Sequence, residues 1–365
     1  MLVHGHRSRA PGCGSGRARA VVLLLPLFTA CVEPARLERE WPAMGGTASA
    51  EVYATTERAA LAMLDGMQEG VEQVAASMTL EAEGSELIRL NSEAQSGPYF
   101  LEDSDLFRCI RLALDYAKAS DGSFDPTLRP LTRLYERDAE PSDAEIAEAL
   151  ERVGWRDVVT EKEARAVRFR KEGMALDLGG IAHGYAIDAA KRNFALSGSR
   201  GGRIRIGNHA YAWRTPPGED AWREKIFDPR DPARSLGEVL IASRGIAVSG
   251  PAESTRAGSP VLDSRTGLRT SSNVVLAVGF ADSGADADAV STALLAGGSR
   301  RAGKFLTDTR RVEGILLVQE EGEPYLLVSA SLRERFFPSA ELENEVRGRI
   351  RYLLPPGSLE RFEGL

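Results

Sequence analysis

The chain has 365 residues, enough to bury a sizeable core, and carries 53 acidic against 46 basic side chains for a formal charge of -7. An acidic balance of this kind argues against a protein that holds nucleic acid through its overall field. Four arginines (Arg7, Arg9, Arg17, Arg19) and no acids fall in the first 30 residues, so loss of that segment leaves a charge of -11.

The same segment continues into a short apolar run, Val21 to Phe28, and then the small residues Thr29 and Ala30. A basic start, a short apolar middle and small residues at the end predict a secretory signal peptide over 1–30. The run is too short to span a bilayer. Phe28-Thr29-Ala30-Cys31 resembles a bacterial lipobox, which predicts lipidation at Cys31 and attachment to a membrane through a lipid anchor. The expected location is the cell envelope, facing the periplasm or exterior; plain cleavage near Ala30 is the alternative. Residues 31–40, polar and containing Pro34, read as a tether. Cys109 is then the one other cysteine of the mature chain, and its helical, apolar surroundings predict a buried and inert thiol. Without disulfides, the fold must rely on core burial.

Ala48 to Ala54 alternates as a strand does. Glu57 to Met78 carries Ala60, Leu61, Leu64, Met67, Val71 and Val74 at helical spacing. Asp103 opens a second helix with Leu106, Ile110, Leu114 and Ala117 on one face. Ser142, with Glu145 three residues on, marks a capped helix start. Asp157 to Thr160 and Ala166 to Phe169 read as short strands, and Ile181 to Ala195 as a helix after a glycine pair. Further strands are predicted at Arg203–Ile206, Val239–Ala242, Val274–Val278 and Ile315–Val318, with a helix at Ala285–Leu295. Helices and strands mixed without regular alternation predict an α+β fold. Residues 338–365 read as an appended polar tail with one helix.

Four segments carry chemistry. Asp121-Gly-Ser-Phe-Asp-Pro-Thr is a loop shaped by Gly122 and proline, a plain turn if taken alone. Asp177-Leu-Gly-Gly-Ile-Ala-His183 sets a glycine pair at a helix start, where free backbone groups can face an anion. Val261-Leu-Asp-Ser-Arg-Thr-Gly267 is a polar turn in which Arg265 can pair with Asp263. Asp288 and Thr292 sit four apart on one helix face, able to offer a carboxylate and a hydroxyl to a hard cation.

In their order and spacing these segments resemble the FAD:protein FMN transferase (ApbE) family, together with Met44-Gly-Gly-Thr, Ser85-Glu-Leu-Ile-Arg-Leu-Asn and Phe124-Asp-Pro-Thr. The resemblance implies a single domain of mixed helices and antiparallel strands over 41–337. It implies FAD as substrate, Mg2+ as cofactor, and transfer of FMN to a threonine of an exported acceptor protein with release of AMP. By matching, Asp288 carries catalysis as a metal ligand, with Thr292 and the Gly180 carbonyl beside it. Met44, Ser123, Phe124, Asp125, Asp177, His183 and Val261 are the implied FAD-binding residues.

The chain departs from the family pattern at several places. His183 stands where Lys or Glu is usual. Pro260 replaces a histidine three residues before Asp263, Ser264 replaces a proline, and Ile206-Gly-Asn-His-Ala has lost a glycine. Pro260 cannot move a proton and lacks a backbone donor. His209 could substitute, although a solvent-facing imidazole is the plain expectation there. Two alternatives to transfer are an FAD pyrophosphatase and a flavin-binding lipoprotein without turnover.

Overall fold

The computed structural model of the chain describes residues 33–80, 82–137, 139–194, 198–228, 231–250, 261–270, 272–309 and 311–354. The leader with Cys31, as well as Ser259 and Pro260, lies outside the described residues.

Strands β1 (Ala35–Ala43) and β2 (Gly46–Ala54) form a hairpin. Met44 and Gly45 at its turn both have positive φ (48° and 76°), the mirror-image turn that matches strand twist. The segment read as a tether therefore becomes an edge strand from Ala35 onward, because its alternating side chains pair along β2. Helix α1 (Glu57–Met78) follows, capped by Thr56, and buries Ala60, Leu64, Met67, Val71 and Val74 of the predicted stripe, whereas Leu61 is exposed. Then come α2 (Glu86–Glu93), β3 (Tyr99–Phe100), α3 (Ser104–Ala119), α4 (Arg129–Tyr135), α5 (Asp143–Leu150), β4 (Val158–Glu161) and β5 (Ala166–Phe169). Asp103 caps α3, and Ser142 and Glu145 form the reciprocal capping box of α5. Cys109 is free and buried on α3, and burial pushes its thiol pKa far up.

The second half supplies α6 (Ala182–Phe194), β6 (Ser199–Ile206), β7 (His209–Trp213), β8 (Trp222–Asp228), β9 (Asp231–Ile241), β10 (Arg244–Ser249), β11 (Val274–Ala281) and α7 (Gly284–Asp308). The chain closes with β12 (Glu313–Glu320), β13 (Glu323–Ser329), β14 (Phe336–Pro338), α8 (Ala340–Val346) and β15 (Ile350–Leu353). Among the described residues, one sheet runs β1-β2-β6-β7-β10-β11-β12-β13-β15, antiparallel except for the last pair. Two three-stranded sheets, β14-β9-β8 and β3-β5-β4, accompany it.

The central strands of the large sheet are buried on both faces, and their alternate residues serve different cores. Leu316 and Val318 of β12 pack with α1, α3, α6 and α7, whereas Ile315 and Leu317 pack with Trp222, Val239, Phe336 and Leu342 of the outer layer. The stretch read as a polar tail is thus built in as far as residue 354: Leu342 and Val346 are buried, and β15 forms the sheet's far edge. Its few apolar residues are spaced for one helix face and one strand, which the polar average conceals. Among the described residues no helix is long and apolar enough to cross a membrane. The fold is α+β.

Candidate functional site

Helix α7 places the site. Ser283 caps its start, and both Asp188 oxygens accept from the first-turn amides of Gly284 and Ala285, at 2.9 Å each. The helix then runs close over β11, where a Cβ on Gly279 would lie 2.5 Å from the Ala287 carbonyl. This approach sinks Asp288 to 2% exposure. A buried carboxylate needs partners. Asp288 Oδ2 accepts the Gly184 amide of α6 at 3.0 Å, and His209 Nε2 lies 3.1 Å from Oδ1.

The Gly184 amide reaches Asp288 because α6 and α7 touch backbone to backbone. A Cβ on Gly184 would sit 2.1 Å from the Gly284 carbonyl oxygen. One residue before it, His183 projects its ring onto that of His209, with centroids 4.9 Å apart and planes within 6°. One ring nitrogen of each imidazole and a carboxylate oxygen of Asp288 lie within 4.8 Å of one another. His183 Nε2 is 3.3 Å from the Met44 carbonyl in the β1–β2 turn, and His209 Nδ1 is 3.3 Å from the Ile206 carbonyl.

Charge is unevenly shared in this cluster. Burial disfavours a charged His209, but the Asp288 carboxylate outweighs it and lifts the imidazole pKa above its usual value. Burial likewise opposes ionisation of Asp288, and His209 outweighs that too, holding the carboxyl below its usual range. His183 is pushed down by burial and by the neighbouring His209.

Thr292, one turn past Asp288, brings its hydroxyl 3.4 Å from the Gly180 carbonyl. Gly180 fits tightly there, since a Cβ would come 3.1 Å from the side chains of Phe124 and Thr292. Phe124, Gly180 and Thr292 thus touch one another, and His183 links Asp288 to the Met44 turn. Ser123 Oγ and His183 Nδ1 are buried without a hydrogen-bond partner.

Other predicted residues shape the surroundings. Asp125 is buried and its Oδ1 accepts from the Thr127 amide and hydroxyl, at 2.8 and 2.6 Å, so its charge fixes the loop. Burial pushes its pKa up despite those bonds. Asp177 accepts from Thr132 Oγ1 and the Gly179 amide, both at 2.9 Å, which sets the turn into α6. Asn91 bonds both backbone groups of Leu176, at 2.8 and 2.7 Å, and so clamps the irregular segment leading to Asp177. Val261 packs against the main core, and Ser264 Oγ donates to the Gly122 carbonyl at 2.6 Å, docking the 261–270 turn on the Ser123 loop. Within that turn Asp263 accepts the Arg265 amide, while the guanidinium pairs with Asp121 instead.

His209 is the residue that sequence reasoning misplaces. Its side chain is 15% exposed and touches Asp288, rather than facing solvent. The register that pairs it with Ala247 carries it over α7.

Fold and site together define an α+β protein whose histidine–aspartate–threonine centre lies where the starts of two helices meet the main sheet. The profile of the ApbE family matches residues 44–316. The FAD:protein FMN transferase of Treponema pallidum (strain Nichols) is 25% identical over 267 residues, covering 67% of this chain and 74% of the relative. The flavin transferase ApbE from Vibrio cholerae has the same fold, with a TM-score of 0.73 at 19% identity, covering 83% of this chain and 99% of that one. The ApbE protein from Thermotoga maritima has a TM-score of 0.71 at 25% identity, with 82% and 99% covered. The chain belongs to the ApbE family.

Proposed function

We propose that this chain is an envelope-located, lipid-anchored FAD:protein FMN transferase, which moves FMN from FAD to a threonine of an exported acceptor protein in a Mg2+-dependent reaction. The observation that carries the reading is the contact of Thr292 with the Gly180 carbonyl one helical turn from buried Asp288, in a chain of this family. Three oxygen donors of this kind fit a hard divalent cation. When bound there, Mg2+ would supply charge neutralisation on the FAD diphosphate.

The chain's own groups do the positioning. The Gly184 amide and His209 orient the Asp288 carboxylate, and the Met44 carbonyl orients His183. Buried Ser123 Oγ, without a partner, is free to donate to a flavin-nucleotide oxygen. The docked 121–124 and 261–270 loops would hold the dinucleotide against α6. In the transfer, the acceptor's threonine oxygen bonds to the FMN phosphorus, the bond from that phosphorus to the AMP oxygen breaks, and the hydroxyl proton leaves to water.

The test mixes purified protein with FAD, Mg2+ and a threonine-bearing acceptor domain. Covalent flavin fluorescence on the acceptor, with AMP released and both lost in Asp288→Ala, supports transfer. AMP without labelling indicates hydrolysis, and FAD binding with neither product overturns both enzymatic readings. Anchoring is tested separately by palmitate labelling in cells, which Cys31→Ala must abolish.

A further inference from the structure

Helix α2 lays two amide side chains along the segment that precedes Asp177. Asn91 bonds the amide and the carbonyl of Leu176. One turn on, Gln95 Oε1 accepts the Gly173 amide at 2.8 Å, and its Nε2 donates to the Met174 carbonyl. In a trans peptide the N–H points opposite to the C=O. The Met174 carbonyl and the Leu176 amide face α2, so the Ala175 amide and carbonyl both face away from it. The Asp177 amide points the same way and meets the Pro126 carbonyl at 2.8 Å, just before α4.

Ala175 is 8% exposed, and among the described residues neither of its backbone groups has a partner. Buried backbone groups are rarely left so. Ala175 lines a cavity of about 610 Å3 between α2, α4 and residues 172–175. Leu80, Ile88 and Met174 give the cavity an apolar wall, and Arg129 and Arg133 reach it from α4. Arg129 pairs with Glu136 yet keeps a buried Nε without a partner. Among the described residues neither Arg133 nor the exposed Glu172 nearby makes an ion pair. The cavity thus combines an apolar wall, a paired donor and acceptor, and guanidinium donors suited to an anion.

An N–H and a C=O on the same side of one residue match a ring edge with an acceptor next to a donor. Adenine offers that pair in N1 and its 6-amino group. The flavin ring has such an edge too, but the flavin half leaves on a protein and must lie open to it. The AMP half stays behind, and a walled cavity beside Asp177 can hold it. We infer that Asn91 and Gln95 hold Ala175 as a base-reading edge for the adenine nucleotide half of FAD. The inference rests on the FAD reading above and names the residues that select the donor's base.

The test titrates the full chain calorimetrically, without FAD, Mg2+ or acceptor. The probes are AMP and purine riboside 5'-monophosphate, which lacks the 6-amino group. AMP should bind more tightly on the order of tenfold, because the analogue leaves the Ala175 carbonyl unpaired. Gln95→Ala and Asn91→Ala, each checked for native circular dichroism, should weaken AMP binding and bring that ratio toward one. A merely structural loss would weaken both nucleotides alike and keep the ratio. Equal binding of the two by the parent, no AMP binding at millimolar concentration, or a ratio preserved in both variants overturns the inference. Since no turnover is involved, that failure leaves transfer standing. Loss of acceptor labelling with the ratio intact counts against transfer alone.

Discussion

Replacing Gly184 by alanine tests whether the contact between α6 and α7 sets the site. A new Cβ would lie 2.1 Å from the Gly284 carbonyl oxygen and 2.4 Å from its carbon, both backbone atoms that cannot swing aside. Restoring ordinary contact separates the two helices by about 1 Å, an overpacking that costs roughly 1–3 kcal/mol. The separation also stretches the 3.0 Å bond from the Gly184 amide to Asp288, a bond to a charged group that contributes about 1.5–3 kcal/mol. Against this, alanine in a helix interior is favoured over glycine by about 1 kcal/mol. The net expectation is a loss of about 2–4 kcal/mol in urea denaturation. Gly303→Ala is the control: it lies in the part of α7 beyond the kink at Gly298, and its nearest foreign atom is 3.9 Å away. That variant should be neutral or gain up to about 1 kcal/mol. If both variants shift the midpoint in the same direction, the close-approach argument is wrong.

Asn91→Ala leaves the backbone amide and carbonyl of Leu176 without their side-chain partners and should cost about 1–3 kcal/mol. It should weaken FAD binding in a fluorescence titration more than it weakens metal binding, and the reverse order would refute its positioning role. Ser142→Ala removes half of the α5 capping box and should lower stability by about 1 kcal/mol in the same urea assay. The pH dependence of metal-free protein offers a further check. The raised pKa of His209 adds stability that is complete below about pH 6.5 and fades as pH rises through the folded value. The lowered pKa of Asp288 adds stability that is complete above about pH 4 and fades as pH falls through its folded value. The stability gap between the parent and His209→Ala should therefore be widest from about pH 4 to 6.5, and a gap that grows at alkaline pH would refute the pairing.

Local signals made the helices legible. The apolar spacing of α1 and the capping residues Asp103 and Ser142 act within a few turns, so they survive in any tertiary setting. The Asp288/Thr292 pair was legible for the same reason, since one helix fixes both directions. His209 was not, because its neighbours are chosen by the register of β7 on β10 and by the depth to which α7 sinks. The partner of Arg265 was hidden similarly: Asp263 is near in sequence, but the turn folds its guanidinium toward Asp121. β1 and β15 were obscured by polar composition, because edge strands expose one face and one row of backbone groups.

The sheet's division of labour reaches beyond packing. Neighbouring residues of β12 anchor the helical layer and the outer layer in turn, so neither layer can open without unzipping a strand the other depends on. Hydrogen exchange should then show amides in α7 and in β8–β9 released together, as one cooperative unit rather than as a loose cap over a rigid base. A lesion at Leu342, on the side of the sheet away from Asp288, would reach the chemistry by shortening the lifetime of the whole fold and leave the geometry of the intact site untouched.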